Sequence, residues 1–296
     1  MSMPMIVVPQ VWLRSSAALE TVPGTFPEPF PGTYGEGMTT PHVPPADSPH
    51  VEVDGVPATD PALLTTLMSG FGHFTAMQVR DGRVQGLGRH LERLDRSTRE
   101  LFGEELPGDR VRALLTGAVQ ASGRRDCSAR VYVYDGVRLI VVVREPAPDG
   151  PGAPQRLRSV DYLRPAAHIK HLGGFGQSYH GEAARRDGYD EALLTSPDGE
   201  IAEGAVTNIA FWDGTSVVWP SAPCLTGITM GLLEPLLGSV RRPVSLADLG
   251  RYRAAFVTNS RGIAPVSRID AVAFAVDEDL MKRVYSAYES VEWDAL

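Results

Sequence analysis

A lysine with apolar and glycine neighbours is a candidate amine nucleophile, and Lys170 sits in such a string, AAHIKHLGGFGQ. Burial disfavours the charged ammonium, lowers its pKa, and leaves a free amine able to form an imine with an aldehyde. Judged alone, such a lysine is more often a surface residue whose stem snorkels along apolar neighbours. Three further features alter that reading. Glu203, in the stretch Asp198-Gly199-Glu200-Ile201-Ala202-Glu203-Gly204, follows a predicted turn and precedes the strand TNIAFW. A carboxylate there could hold a ring nitrogen protonated, although a single turn Glu is more commonly solvated. The turn Leu225-Thr226-Gly227-Ile228-Thr229 feeds the apolar segment GLLEPLL. A helix start of this kind offers free N–H groups and a positive dipole end to a phosphate. The Thr229 hydroxyl could join them or simply cap the helix. Arg93, in HLERL, falls off the apolar stripe of its helix; it is either a solvated charge or a fixed guanidinium for phosphate.

These residues need a scaffold. GHFTAMQV, the turn Arg80-Asp81-Gly82-Arg83 and the following residues read as a hairpin. HLERLDRSTRELF carries Leu91, Leu94, Thr98, Leu101 and Phe102 at helical spacing, and a second helix is predicted over Asp109 to Gln120. Strands ARVYVY and RLIVVV flank a tight turn at Asp135-Gly136. PAPDGPGAPQ, from Pro146 to Gln155, has no periodicity and reads as a linker. Beyond it the pattern predicts a strand over Leu157 to Tyr162, a helix over Gly176 to Asp187 and strands EALLTS and TNIAFW. A short strand at Val217-Val218, a helix opening near Gly227, a strand AAFVTN and a last helix over Asp277 to Ser290 follow. The expected class is α+β, with antiparallel strands joined by short turns and helices to one side. The expected organisation is an irregular arm over 1–50, a smaller domain over 51–148, a linker over 149–156 and a larger domain over 157–296. Ten of the 24 prolines lie in the first 50 residues, and Met38 offers an alternative start.

Bulk properties narrow the partners. A chain of 296 residues with 43% apolar residues can bury substantial cores, and two domains with a crevice between them are expected. The net charge of -8 gives no footprint for nucleic acid or an acidic membrane surface, so a small-molecule partner is expected. No apolar run approaches the roughly 18 residues of a membrane helix, and the first residues make a poor signal peptide. Two cysteines, Cys127 and Cys224, form no disulfide framework, and a reducing cytoplasm is the expected location. His168 and His171 flank Lys170 without an acidic or Cys companion, so no metal site is expected. GFGHF, GLGRH and GGFGQ lack the full Gly-x-Gly-x-x-Gly pattern, and Ser and Cys nucleophile motifs are absent.

HLERL, a lysine, Gly188-Tyr189-Asp190-Glu191-Ala192, a Glu-Gly pair and Gly-Ile-Thr, in this order, resemble the class IV aminotransferases. The resemblance runs from about Gly70 to Val266. It implies the pyridoxal 5'-phosphate (PLP) fold-type IV architecture, with the cofactor in the inter-domain crevice, and a homodimer. Carried onto matching positions, it implies that Lys170 binds PLP as a Schiff base and that Glu203 pairs with the pyridine nitrogen. Arg93, Gly227 and the N–H groups of Ile228 and Thr229 are expected on the phosphate, as is Ser260 in FVTNSRGIAPV. Four departures bear on the substrate: Met230 replaces a family arginine, Phe175 a frequent tyrosine, Phe74 the tyrosine of D-amino acid enzymes, and Asp135-Gly136 an Arg-Gly loop. Phe74-Thr75, expected near the substrate, Ile169 to Leu172 and Asn259-Ser260 are similar to the aminodeoxychorismate lyase branch. The expected activity is amino transfer between a primary amine or amino acid and a keto acid, with pyruvate elimination by a lyase, or PLP binding with little catalysis, as alternatives.

Overall fold

Two main sheets organise the chain in the computed structural model, which describes residues 50–57, 70–134 and 137–296. Residues 1–49 of the expected arm and the Asp135-Gly136 turn lie outside the described residues. In chain order the first sheet comprises β1 (His50–Val53), β2 (Val56–Pro57), β3 (Gly72–Val79), β5 (Cys127–Tyr134) and β6 (Arg138–Arg144), arranged β2-β1-β6-β5-β3; β4 (Arg83–Gln85) lies outside it. Helices α1 (Leu87–Phe102) and α2 (Gly108–Ala121) follow β4. Alternation assigns the faces of the sheet. Met77, Val79, Ala129, Val131, Val133, Val141 and Val143 form a core with Leu87 and Leu94 of α1 and Val111 and Leu115 of α2. Phe74, Ala76, Arg130, Tyr132 and Arg144, alternate residues on the same strands, line a cavity.

The second sheet begins with β7 (Gln155–Asp161), α3 (Phe175–Arg186) and β8 (Glu191–Thr195). β9 (Ile201–Gly204), β10 (Asn208–Trp212), β11 (Val217–Pro220), α4 (Ile228–Leu237), β12 (Val240–Arg242), β13 (Ala254–Asn259), β14 (Gly262–Ile269) and β15 (Val272–Ala273) follow. Its order is β12-β11-β10-β13-β14-β7-β8-β9, with β15 on β14. The expectation of antiparallel strands fails at three pairs: β7 runs parallel to β8 and β14, and β11 parallel to β12. The helix between β7 and β8 supplies the crossover that a parallel pair requires. The ends of the sheet meet, because Ile201 N–H donates to Val244 O at 2.8 Å and Leu246 N–H to Gly199 O at 2.9 Å. Ile209, Phe211, Ala255 and Val257 point into the enclosed core, whereas Ala210, Ala254 and Phe256 pack with Leu233 of α4. The last helix, α5 (Glu278–Glu289), adds Leu280 and Val284 to that outer layer.

The last strand, β16 (Trp293–Ala295), pairs with β4, and there Asp294 Oδ2 accepts the Leu87 N–H at 2.8 Å. Gly86 has no side chain to cap α1, so a carboxylate 207 residues away satisfies one of its first free N–H groups. This contact fixes the helix that carries His90 and Arg93.

Candidate active site

The lysine segment is built onto the outer edge of the first sheet. Phe74 N–H donates to Lys170 O at 2.9 Å and Leu172 N–H to Gly72 O at 2.8 Å, forming an antiparallel bridge between His73 and His171. Gly72 permits this approach: its φ is 154°, and a Cβ there would lie 2.4 Å from Val133 O and 2.9 Å from Leu172. The Lys170 Nζ consequently stands 4.9 Å from the centre of the Phe74 ring, which stacks on Tyr132 at 5.2 Å. Burial, reinforced by Arg93 and Arg164, pushes the Lys170 amine down to about 7, with Glu203 acting in the opposite sense.

Glu203 emerges from β9 into the same cavity. Its Oε1 accepts Arg164 Nη1 at 3.0 Å and its Oε2 accepts the Leu225 N–H at 3.2 Å. Burial raises its pKa despite these donors. Arg164 Nη2 also donates to Ile169 O at 2.5 Å, so one guanidinium ties the carboxylate to the residue before the lysine. No local pattern marks Arg164, because both of its partners depend on the tertiary fold.

At the other end of the cavity α4 begins. Asn208 brackets the turn before it, donating from Nδ2 to Leu225 O at 2.6 Å and accepting the Gly227 N–H on Oδ1 at 3.1 Å. A Cβ on Gly227 would lie 2.2 Å from that Oδ1, which restricts the position to glycine. Ile228 and Thr229 occupy the first turn, where backbone N–H groups have no intrahelical partner. The Thr229 hydroxyl donates to Asn259 O at 2.9 Å, drawing the two-residue Ser260-Arg261 turn between β13 and β14 to the helix start. Thr229 thus neither caps the helix nor points a free hydroxyl outward.

Of the two readings open for Arg93, the structure disfavours the solvated one. Arg93 is 5% exposed, not a solvated charge, because α1 packs on the sheet along one side and on the cavity along the next. Its Nη2 donates to the Thr75 hydroxyl at 2.5 Å. Phe74 lines the cavity, but Thr75 does not: neighbouring strand residues face opposite ways, and Thr75 points toward α1, against His90 and Arg93.

Lys170, Arg93, Glu203, Gly227, Ile228, Thr229, Ser260 and Phe74 therefore share one cavity of about 740 Å³. Among the described residues its wall carries six arginines and Lys170 against two carboxylates, Glu145 and Glu203, in a chain of net charge -8. Such a surface selects anionic ligands. Arg93 Nε and Thr258 Oγ1 are buried without hydrogen-bond partners among the described residues. Unsatisfied groups at the wall of a cationic cavity fit the phosphate and ring substituents of PLP. Phe175 is 80% exposed and lies off the cavity, as does Met230 on the buried face of α4.

Similar proteins share this fold. Among solved structures, a branched-chain aminotransferase from the thermophilic archaeon Thermoproteus uzoniensis is similar at TM-score 0.68 and 19% identity, over 81% of this chain and 93% of that one. A putative 4-amino-4-deoxychorismate lyase from Legionella pneumophila gives 0.68 and 22%, over 76% and 93%. A fold IV-transaminase from Curtobacterium pusillum gives 0.69 and 21%, over 83% and 100%. No curated protein matches the sequence. The family model for amino-transferase class IV matches residues 72–269. The fold is the α+β fold of these enzymes, and their cofactor is PLP. The chain belongs to the class IV aminotransferase family.

Proposed function

We propose that the protein is a PLP-dependent aminotransferase that moves an amino group between an amino acid or other primary amine and a keto acid. The observation that carries this reading is the convergence of a charge-averse lysine, a buried carboxylate and a buried arginine on one cationic cavity. Bound PLP supplies an electron sink for charge developing on the substrate carbon. Lys170 Nζ holds the cofactor and, once released, takes the proton from the amine-bearing carbon and returns it across the exchange. Glu203 keeps a proton on the ring nitrogen, and Arg164 orients its carboxylate. Arg93, the Ile228 and Thr229 N–H groups and Ser260 bind the phosphate. Arg130 and Arg144, exposed on the cavity face of β5 and β6, offer guanidinium groups to substrate carboxylates in place of the family's Arg-Gly loop. On the resemblance, the enzyme acts as a cytoplasmic homodimer, with domains 51–148 and 157–296 enclosing the cofactor.

A second reading, pyruvate elimination of the aminodeoxychorismate lyase type, draws on the Asn259-Ser260 turn that is similar to that branch and borders the helix start. Adding amino donors singly to purified holoprotein without an acceptor separates the two. Conversion of bound cofactor to its amine form, with one equivalent of keto acid released, supports amino transfer. Repeated pyruvate release under those conditions assigns the lyase, and a silent cofactor across a broad donor panel assigns neither activity.

A further inference from the structure

His90 is buried, lines the cavity and lies three residues before Arg93, on the same face of α1. Its Nδ1 is 2.6 Å from the Thr75 hydroxyl, which also receives Arg93 Nη2 at 2.5 Å. Hydrogen-bond valence then fixes the protons. A guanidinium only donates, so Arg93 occupies a lone pair of the Thr75 oxygen. Thr75 has no exposed surface, and its own proton needs an acceptor. Among the described residues the acceptor at hydrogen-bond distance is His90 Nδ1. Were Nδ1 to carry a proton, it would take the second lone pair of the Thr75 oxygen and leave the buried hydroxyl proton without an acceptor. Nδ1 is therefore bare, and the neutral ring carries its proton on Nε2.

That Nε2 has no protein partner among the described residues. The second histidine of this region differs. His73 Nε2 lies 2.9 Å from the Thr98 hydroxyl, which donates to Leu94 O, so the N–H of His73 is consumed inside the fold. His73 is also absent from the cavity wall. Burial, with Arg93 and Lys170 nearby, keeps His90 neutral.

We propose that His90 Nε2–H is a further donor to the cofactor phosphate, and that Thr75 is the positioning residue that sets its tautomer. The proposal rests on the reading of this cavity as the PLP site. It gives Thr75 a role that its orientation away from the cavity would otherwise deny. One hydroxyl aligns Arg93 and polarises His90 together, so the anion meets two donors held in register.

Two measurements test it. In protein labelled with 15N histidine, the ring absent from His90→Gln identifies His90 among the seven histidines. It should show a bare Nδ1 and a protonated Nε2 at neutral pH, and Thr75→Val should abolish the single-tautomer signature while Thr75→Ser retains it. An Nδ1-protonated or fully protonated His90 overturns the proposal. Cofactor-free protein is then titrated with PLP and with pyridoxal, which lacks the phosphate. His90→Leu should weaken PLP about tenfold, the factor for one hydrogen bond to a charged group, and leave pyridoxal unchanged. His90→Gln, which keeps an N–H donor, should recover much of the difference. A wild-type ratio of the two affinities in His90→Leu overturns the His90 role alone. If neither aldehyde gives a borohydride-reducible adduct at Lys170 in the wild type, the PLP reading fails and the phosphate role with it.

Discussion

Arg164 and Glu203 form an ion pair at 3.0 Å with side chains 5% and 6% exposed, and the same arginine holds the carbonyl beside Lys170. The pair thereby links the Glu203 carboxylate to the backbone of the lysine segment. Removing one member of a buried pair strands the other, at a cost of about 3–5 kcal/mol, whereas replacing both with apolar groups is often neutral. Arg164→Gln should therefore lose stability of that order in urea unfolding, and Arg164→Met with Glu203→Leu should regain most of it. The double variant should still fail to hold cofactor in its active form.

Lys170 titrates near 7, against an ordinary 10.5, in the cofactor-free protein. Only the free amine attacks an aldehyde, so pyridoxal uptake should rise about tenfold per pH unit below 7 and level off above it. Absorbance stopped-flow across pH 5.5 to 9 reads this directly, and a rate still climbing at pH 9 contradicts the depressed value. Between about 7 and 10.5 the folded state binds fewer protons than the unfolded one. Stability of the cofactor-free protein should accordingly increase with pH over that window.

Glu191 behaves in the opposite sense. Burial lifts its carboxyl from 4.5 to about 7, although Val206 N–H and the Thr207 hydroxyl donate to it. The folded state then binds more protons than the unfolded state between those values, and stability falls as pH rises through them. The slope amounts to about 3 kcal/mol over the window. Glu191→Gln keeps an acceptor for both donors and should flatten this dependence in unfolding experiments at pH 5, 6, 7 and 8.

Gly227→Ala places a methyl group 2.2 Å from Asn208 Oδ1. Overpacking of this kind costs about 1–3 kcal/mol, and here it displaces the turn that begins α4. PLP affinity should drop while pyridoxal affinity changes little, because the phosphate end alone is disturbed. Asn208→Ala in the same background should restore part of the loss by vacating the space.

How much of this is legible in the sequence depends on how local each cause is. Lys170, Glu203 and the Gly227-Ile228-Thr229 turn are legible only through their order along the chain, since each taken alone has a commoner reading. Phe74 and Thr75 cannot share a role, since strand alternation turns one to the cavity and the other to α1; only the phase of β3 decides which. The apolar stripe alone leaves Arg93 open between a solvated and a fixed guanidinium, because its helix is buried on two adjacent sides, an arc wider than that stripe. Arg164 finds Glu203 39 residues away and Leu87 finds Asp294 207 residues away, separations that no local pattern encodes. The parallel β7–β8 pair is within reach of a sequence reading, because a helix is predicted between those strands.

The bridge between β3 and the lysine segment has a consequence outside catalysis. β3 is a margin strand, and a margin strand with free N–H and C=O groups is a template on which another chain can add. In this protein the residues around Lys170 occupy part of that template themselves. Whatever firmly seats Lys170 also shields the strand, and whatever loosens it bares an adhesive edge. The same two backbone hydrogen bonds thus serve the seating of Lys170 and the cover of the sheet margin.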